Sequence, residues 1–381
     1  MRTTMVGAVL FGVCFTAQAS EAAELTAWRL PFSGSSPYQV AAGAGGVSYI
    51  DFDGDAGATF LGVLDTARGK FSEMETPFFA GSGDLRVRAG DGAVFLMDSS
   101  SGDLGRGDVA SRNFWRWTLP DGAYFRSFVF DDAGRVLFLA GNQEGRMMIG
   151  RLDTASGAVS IWPLPDSLDT PGEDFAWRIV KLADGSVLVN GNGFAHPRQL
   201  VRLDLATGVF TSWATPGQPV FALAADAAGG VYFHEVDSDL RRVGRLVPAT
   251  GQLTEWNVDL PNVEFPGEMA LEAGRLFFAI NNPVGMVALD PTVAGNESIL
   301  APFVADPVTP STAVISPVLT RRARSRTGRV HPVVSAPPAT ALGAAFTTWD
   351  TGPVVLGSGD GAGTMYGAAD LGGPAIARFV P

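Results

Sequence analysis

Three aspartates alternate along the stretch DFDGDAG: Asp51, Asp53 and Asp55. Carboxylates at every second position can offer oxygen donors to one hard cation, Ca²⁺ or Mg²⁺. The same spacing is also ordinary Asp/Gly turn chemistry, in which the carboxylates accept from nearby backbone N–H groups. It is not a helix–loop–helix calcium loop, because Ala56 stands where the turn glycine belongs and no glutamate closes the twelve-residue frame. A second chemistry-bearing stretch is RRARSRTGR at 321–329, which contains Arg321, Arg322, Arg324, Arg326 and Arg329. It lies in a segment, 307–349, that has no acidic residue, in a chain of net charge −12. Two readings fit it: a mobile surface insertion, or a basic arm that docks on an acidic partner or on this chain's own acids. Serine-nucleophile elbows, zinc spacings and phosphate-cradling glycine loops are absent from the sequence.

The composition sets limits on these chemistries. The chain has 381 residues, 46% of them hydrophobic and 17% charged, which suits a globular protein with a large core. Its 47 Gly and 25 Pro are scattered throughout, which favours many turns and an all-β fold. The acidic balance argues against nucleic acid as a partner. Residues 1–19 read as an export signal, with Arg2 as the basic start, an apolar run at 5–15 and a small-x-small site at Ala17-Gln18-Ala19. The expected location is therefore the periplasm or the medium. The one cysteine, Cys14, falls inside that signal, and no other run is long and apolar enough to span a membrane. A monomer is expected.

The elements that must position these groups are repeats. Closing motifs end at Pro31, Pro77, Pro120, Pro165, Pro216 and Pro261, in steps of 46, 43, 45, 51 and 45 residues. Each period holds an apolar strand, a Gly turn, a second strand, a polar loop, a third strand, a Thr-Gly-like turn and an aromatic closing strand. Four short strands per unit is the composition of a propeller blade. The last repeat, 353–381, stops after its third strand, and LTAWRLP at 25–31 supplies the fourth. The expectation is an all-β, seven-bladed β-propeller closed by exchange of N- and C-terminal strands in the last blade. The blades fall at about 32–77, 78–120, 121–165, 166–216, 217–261, 262–352, and 353–381 with 25–31, and residues 292–345 form an irregular Pro/Arg-rich insertion. Trp28, Trp115, Trp117, Trp162, Trp213, Trp256 and Trp349 lie on closing strands and are read as blade packing. On this scheme Asp51, Asp53, Asp55, Asp98, Asp103 and Glu235 share one rim, which is thereby acidic.

The unit GGVYFHEVDSDLRRVGRLVPATGQLTEW resembles that of the virginiamycin B lyase (streptogramin lyase) propellers. Those enzymes open a cyclic lactone by elimination, with a divalent cation held by acidic residues near the channel and a histidine base. The resemblance implies Glu235 as a metal ligand, with Asp51 and Asp98 at equivalent strand ends. Where family units carry Pro-His-Gly-Ile, this chain has Pro219-Val220-Phe221-Ala222, and its histidines are His196, His234 and His331. His234 and Glu235 must face opposite sides of their strand, which puts His234 between blades. Two functions are expected from this sequence: a binding or scaffolding propeller that meets a ligand or an envelope protein through its acidic rim, or a lactone-opening, cation-dependent lyase or hydrolase.

Overall fold

In the computed structural model, the structure describes residues 24–380, apart from 31–34, 44–45, 79–83, 99, 169–175, 192–198, 238–239, 259–268, 282–283, 322–323, 331, 336–338, 343–345, 350–353, 360–363 and 371–373. The export signal, Arg322, His196 and His331 lie outside the described residues.

Seven antiparallel sheets form the blades of a propeller. Blade 1 begins with Ser35–Gly43, Gly46–Asp53, Ala58–Asp65 and Lys70–Glu75, and blades 2 to 6 repeat the pattern along the chain. Blade 7 joins Val354–Gly359, Met365–Asp370 and Pro374–Val380 to Glu24–Arg29, with Trp28 opposite Ile376. The first strands of neighbouring blades lie against one another, 124–130 on 176–181 and 176–181 on 218–225, so they form the inner ring. Trp28, Trp117, Trp162, Trp213 and Trp256 are buried in the apolar layers between blades. Among the described residues no helix is long and apolar enough to cross a membrane.

The glycine of several third strands has a packing cause. Gly62, Gly150 and Gly244 lie over the rings of Tyr49, Phe138 and Phe233, where an added Cβ would come within 2.2, 2.0 and 2.4 Å. Only glycine admits the ring that fills the space between blades.

The segment 292–345 is not irregular. It carries seven short strands, and each is the fifth, outermost strand of a different blade. Asn296–Ile299 pairs with blade 5, Pro302–Val304 with blade 4, Ser311–Val314 with blade 3 and Val318–Arg321 with blade 2. Ser325–Arg329 then pairs with blade 1, Pro332–Ser335 with blade 7, and Ala339–Leu342 with Phe346–Trp349 of blade 6. The segment leaves blade 6 after its third strand and returns to that blade's fourth, having visited every other blade in reverse order. It is a belt around the ring.

The belt strands begin six to nine residues apart, most of them seven, about 23 Å at the usual rise per residue. Between strands, the belt docks on the tight turns joining third and fourth strands. The backbone N–H groups of Leu300, Val308, Ile315 and Val330 donate to the carbonyls of Gly251, Gly208, Gly157 and Gly69 at 2.7–2.8 Å. The exposed large apolar side chains among the described residues are on the belt: Ile299, Phe303, Val304, Val314, Val318 and Leu319. The sequence reading missed this because a belt strand binds by its backbone edge and needs no alternating apolar pattern.

Candidate ligand-binding site

The expected acidic ligands meet arginines. Asp51 and Asp53 on the second strand of blade 1, and Glu73 on its fourth, converge on Arg326 of the belt. The three guanidinium nitrogens reach three different carboxylates: Nη2 to Asp51 at 2.8 Å, Nη1 to Asp53 at 2.7 Å and Nε to Glu73 at 2.5 Å. The guanidinium also lies 3.7 Å from the Phe60 ring centre, and Tyr49 donates its hydroxyl to Glu73 at 2.7 Å. Burial raises Glu73 above the usual carboxylate range, even though the Tyr49 hydrogen bond and Arg326 pull it down. Arg324 lies 3.5 Å from Glu75, Arg329 is exposed, and Arg321 pairs by its backbone with Asn113. The partner-docking reading is therefore corrected for Arg326, which is turned onto this chain's own acids. Asp55 lies exposed in the turn after them.

Asp98 caps its own loop. One oxygen accepts from Ser100 N at 3.0 Å and Ser100 Oγ at 2.7 Å, and the other accepts from Ser101 Oγ at 2.8 Å. Glu235 is fully buried, accepts from the Gly217 N–H and lies 3.1 Å from Arg242, which reaches Glu255 equally. Burial, with Glu255 beside it, pushes Glu235 up to about 8. His234 packs edge-on against Phe278 of blade 6 at 4.9 Å, and burial alone holds it down at about 3. It is a neutral packing residue, out of reach of solvent. Among the described residues no group of three or more His, Cys, Asp or Glu is arranged to hold a metal ion. The donor set implied by the resemblance does not fit a divalent cation, because its members are not gathered together and each is engaged by guanidinium, hydroxyl or backbone donors of this chain.

The pocket lies elsewhere, where loops of blades 2 and 3 meet the inner strand of blade 4. It measures about 550 Å³ and is lined by Met97, Ser100, Ser101, Gly102, Gly122, Tyr124, Phe125, Arg126, Gln143 and Arg178. Both arginines sit on the inner ring at irregularities of their strands. In blade 3 the register shifts between Phe125 and Ser127, and in blade 4 between Ala176 and Ile179. A bulge re-aims a side chain out of the alternating pattern, which is how a strand whose neighbours face the core can present an arginine to a cavity. In blade 5 the shift falls between Val220 and Leu223, within the stretch aligned with the family's Pro-His-Gly-Ile.

The surroundings fix both heads. Arg126 stacks on Tyr124, 5.1 Å from its ring centre, and donates to its hydroxyl at 3.0 Å. Arg178 lies 3.7 Å from Asp84, and its backbone N–H donates to the Asn190 side chain at 3.0 Å. Asp84 is buried, which raises its pKa, but Arg178, Arg86, a 2.6 Å bond from Ser127 Oγ and the Phe128 N–H outweigh that and hold it below the usual range. None of these pocket residues was singled out in the sequence. Their one mark in the sequence is an arginine within the first strands YFRSF and AWRIV, which a solvated arginine would leave as well, since the register shift itself recurs in the first strands of other blades.

No described protein family matches the chain as a sequence, nor does any curated protein. Solved structures do share its architecture. A catalytically inactive His-to-Ala variant of virginiamycin B lyase from Staphylococcus aureus, solved with quinupristin, is 16% identical, with a TM-score of 0.63, over 94% of this chain and 99% of that one. A streptogramin B lyase structure is 16% identical, with a TM-score of 0.62, over 95% of this chain and 99% of that one. The likeness read in the repeat unit is one of fold: this chain is a seven-bladed propeller of the streptogramin lyase architecture.

Proposed function

We propose that this is an exported ligand-binding propeller whose binding site is the pocket between blades 2, 3 and 4, rather than an acidic rim. The observation that carries the reading is the pocket itself. It is of ordinary small-molecule size, is built from three blades, and mixes apolar walls (Met97, Phe125) with oriented polar groups. Of the acids in the former rim reading, Asp51, Asp53, Asp98 and Glu235 are engaged within the chain. Export is supported by the pattern of residues 1–19 alone.

The second reading, lactone opening, is favoured by the fold likeness over nearly the whole chain. Such an elimination needs a base within reach of a bound substrate. Among the described residues the histidine present, His234, is buried and neutral, and Glu235 is locked to Gly217 and Arg242.

The test is a thermal-shift and calorimetric screen of small acids, amides and sugars on the wild type and on Gln143→Trp, which places an indole at the pocket mouth. Hits that bind the wild type and are lost in Gln143→Trp support the reading. Hits indifferent to that change refute it. Incubation with quinupristin and Mg²⁺, followed by chromatography, addresses the alternative. The expected result is intact antibiotic, and a ring-opened product would replace the binding reading with catalysis.

A further inference from the structure

We infer that the pocket takes an anionic ligand, an organic carboxylate with an apolar or aromatic body, gripped by Arg126 and Arg178. The inference rests on the pocket being the binding site and adds the chemistry of what enters it. In a chain of net charge −12, the charged side chains that line this cavity among the described residues are two arginines, with no carboxylate beside them among those residues. A guanidinium offers a planar fork that matches a carboxylate, and two from adjacent blades can grip its two oxygens from different sides.

Their positions are built rather than incidental. Each stands on a bulge of an innermost strand, where the ordinary alternation would have turned the side chain elsewhere. Tyr124 holds the head of Arg126 by stacking and by accepting its N–H, so little rotamer freedom remains to be lost on binding. Asp84 holds Arg178 from behind and is itself held by Ser127 and Phe128.

The remaining lining describes the rest of the ligand. Met97 and Phe125 supply apolar wall. Asp98 orients Ser100 and Ser101, and Gln143 offers both an amide donor and an acceptor. An N-acylated amino acid has each of these features: a carboxylate, an amide and an apolar side chain. N-acetylphenylalanine is therefore the probe, with its primary amide as the uncharged twin.

The experiment is calorimetric titration of the mature protein with the acid and the amide, at low and high salt. Wild type, Arg126→Gln, Arg178→Gln, Arg126→Lys and Gln143→Trp are compared, with the unfolding midpoint of each recorded. The acid is expected to bind at least about tenfold more tightly than the amide, the scale of a charge-assisted pair. Each Arg→Gln change should erase that preference, weakening the acid about tenfold more than the amide. Arg126→Lys should keep part of it, and added salt should reduce it. Equal binding of acid and amide, both lost in Gln143→Trp, overturns the anion assignment and leaves the pocket reading standing. A preference for the acid that survives both Arg→Gln changes overturns the assignment to these residues. No saturable binding of the acid at millimolar concentration overturns the inference as well.

Discussion

Beside its backbone pairing, the belt is clasped to blade 1 by the Arg326 side chain, and removing its charge gives a sharp expectation. Arg326 is mostly buried, with 16% of its side chain exposed, and it bonds to three carboxylates, two of which, Asp51 and Glu73, are fully buried. Arg326→Met keeps most of the stem and deletes the cation, leaving three acids close together. Removing one partner of a buried ion pair typically costs about 3–5 kcal/mol, and the exchange should fall near about 4 here. With about 2 cal/mol/K of unfolding entropy per residue, that is a fall of about 5 °C in Tm. The loss has a pH signature. In the variant the unpaired carboxylates are held above their ordinary pKa, so the folded state binds protons that the unfolded state does not. The instability is thus full above that raised pKa and eases as pH falls through it. Thermal unfolding followed by tryptophan fluorescence at neutral and mildly acidic pH reads both effects. Adding Glu73→Gln to the variant should recover part of the midpoint, and Arg329→Met, at an exposed site, should leave it unchanged. A deficit equal at both pH values and untouched by Glu73→Gln would mean that lost packing, not charge, explains the clasp.

Two further perturbations follow from the same reasoning. Between pH 4.5 and 6.5 the contributions of Glu235 and His234 offset one another, and stability against urea should fall on either side. It falls as pH rises from 6.5 through about 8, because Glu235 must lose its proton while buried, and as pH drops from 4.5 toward about 3, because His234 must gain one. Glu235→Gln should flatten the alkaline limb alone and His234→Leu the acid limb alone, so limbs that persist in these variants would assign the effect elsewhere. In the turns that carry the belt, Gly208 has a φ of +72° and an added Cβ would come 2.3 Å from the Val308 carbonyl, whereas the blade 2 turn has Arg112 at a φ of +56°. Gly208→Ala should therefore destabilise by about 1–3 kcal/mol, and Arg112→Gly should stabilise by up to about 1 kcal/mol. Equal shifts in the unfolding midpoint would show that backbone conformation does not govern these turns.

The ring was legible in the sequence because it is written many times. Turn glycines, closing prolines and closing tryptophans recur at a steady spacing, and the copies repeat one packing demand: Gly244 over Phe233 repeats Gly150 over Phe138. The belt is written once. Its strands satisfy only the outer edges of blades, so Val314 and Val318 can be exposed and no amphipathic period is imposed. Its one recurring trace lies in the blades, where Gly69, Gly157, Gly208 and Gly251 leave room for a belt carbonyl at 2.1–2.3 Å from an added Cβ. The same absence of local pattern misdirected the reading of the acids. Asp51, Asp53 and Asp55 looked like a set of ligands because the cation that serves the first two stands 273 residues beyond Asp53, in a strand of another origin. The pocket was hidden for the opposite reason. Arg126 and Arg178 each break the period-two alternation of a strand that otherwise obeys it, and in a single sequence one displaced arginine is indistinguishable from a solvated one. A repeat scaffold announces its packing through what its copies share. The residues that can distinguish its chemistry are those at which the copies disagree, and these lie on bulges of the inner ring.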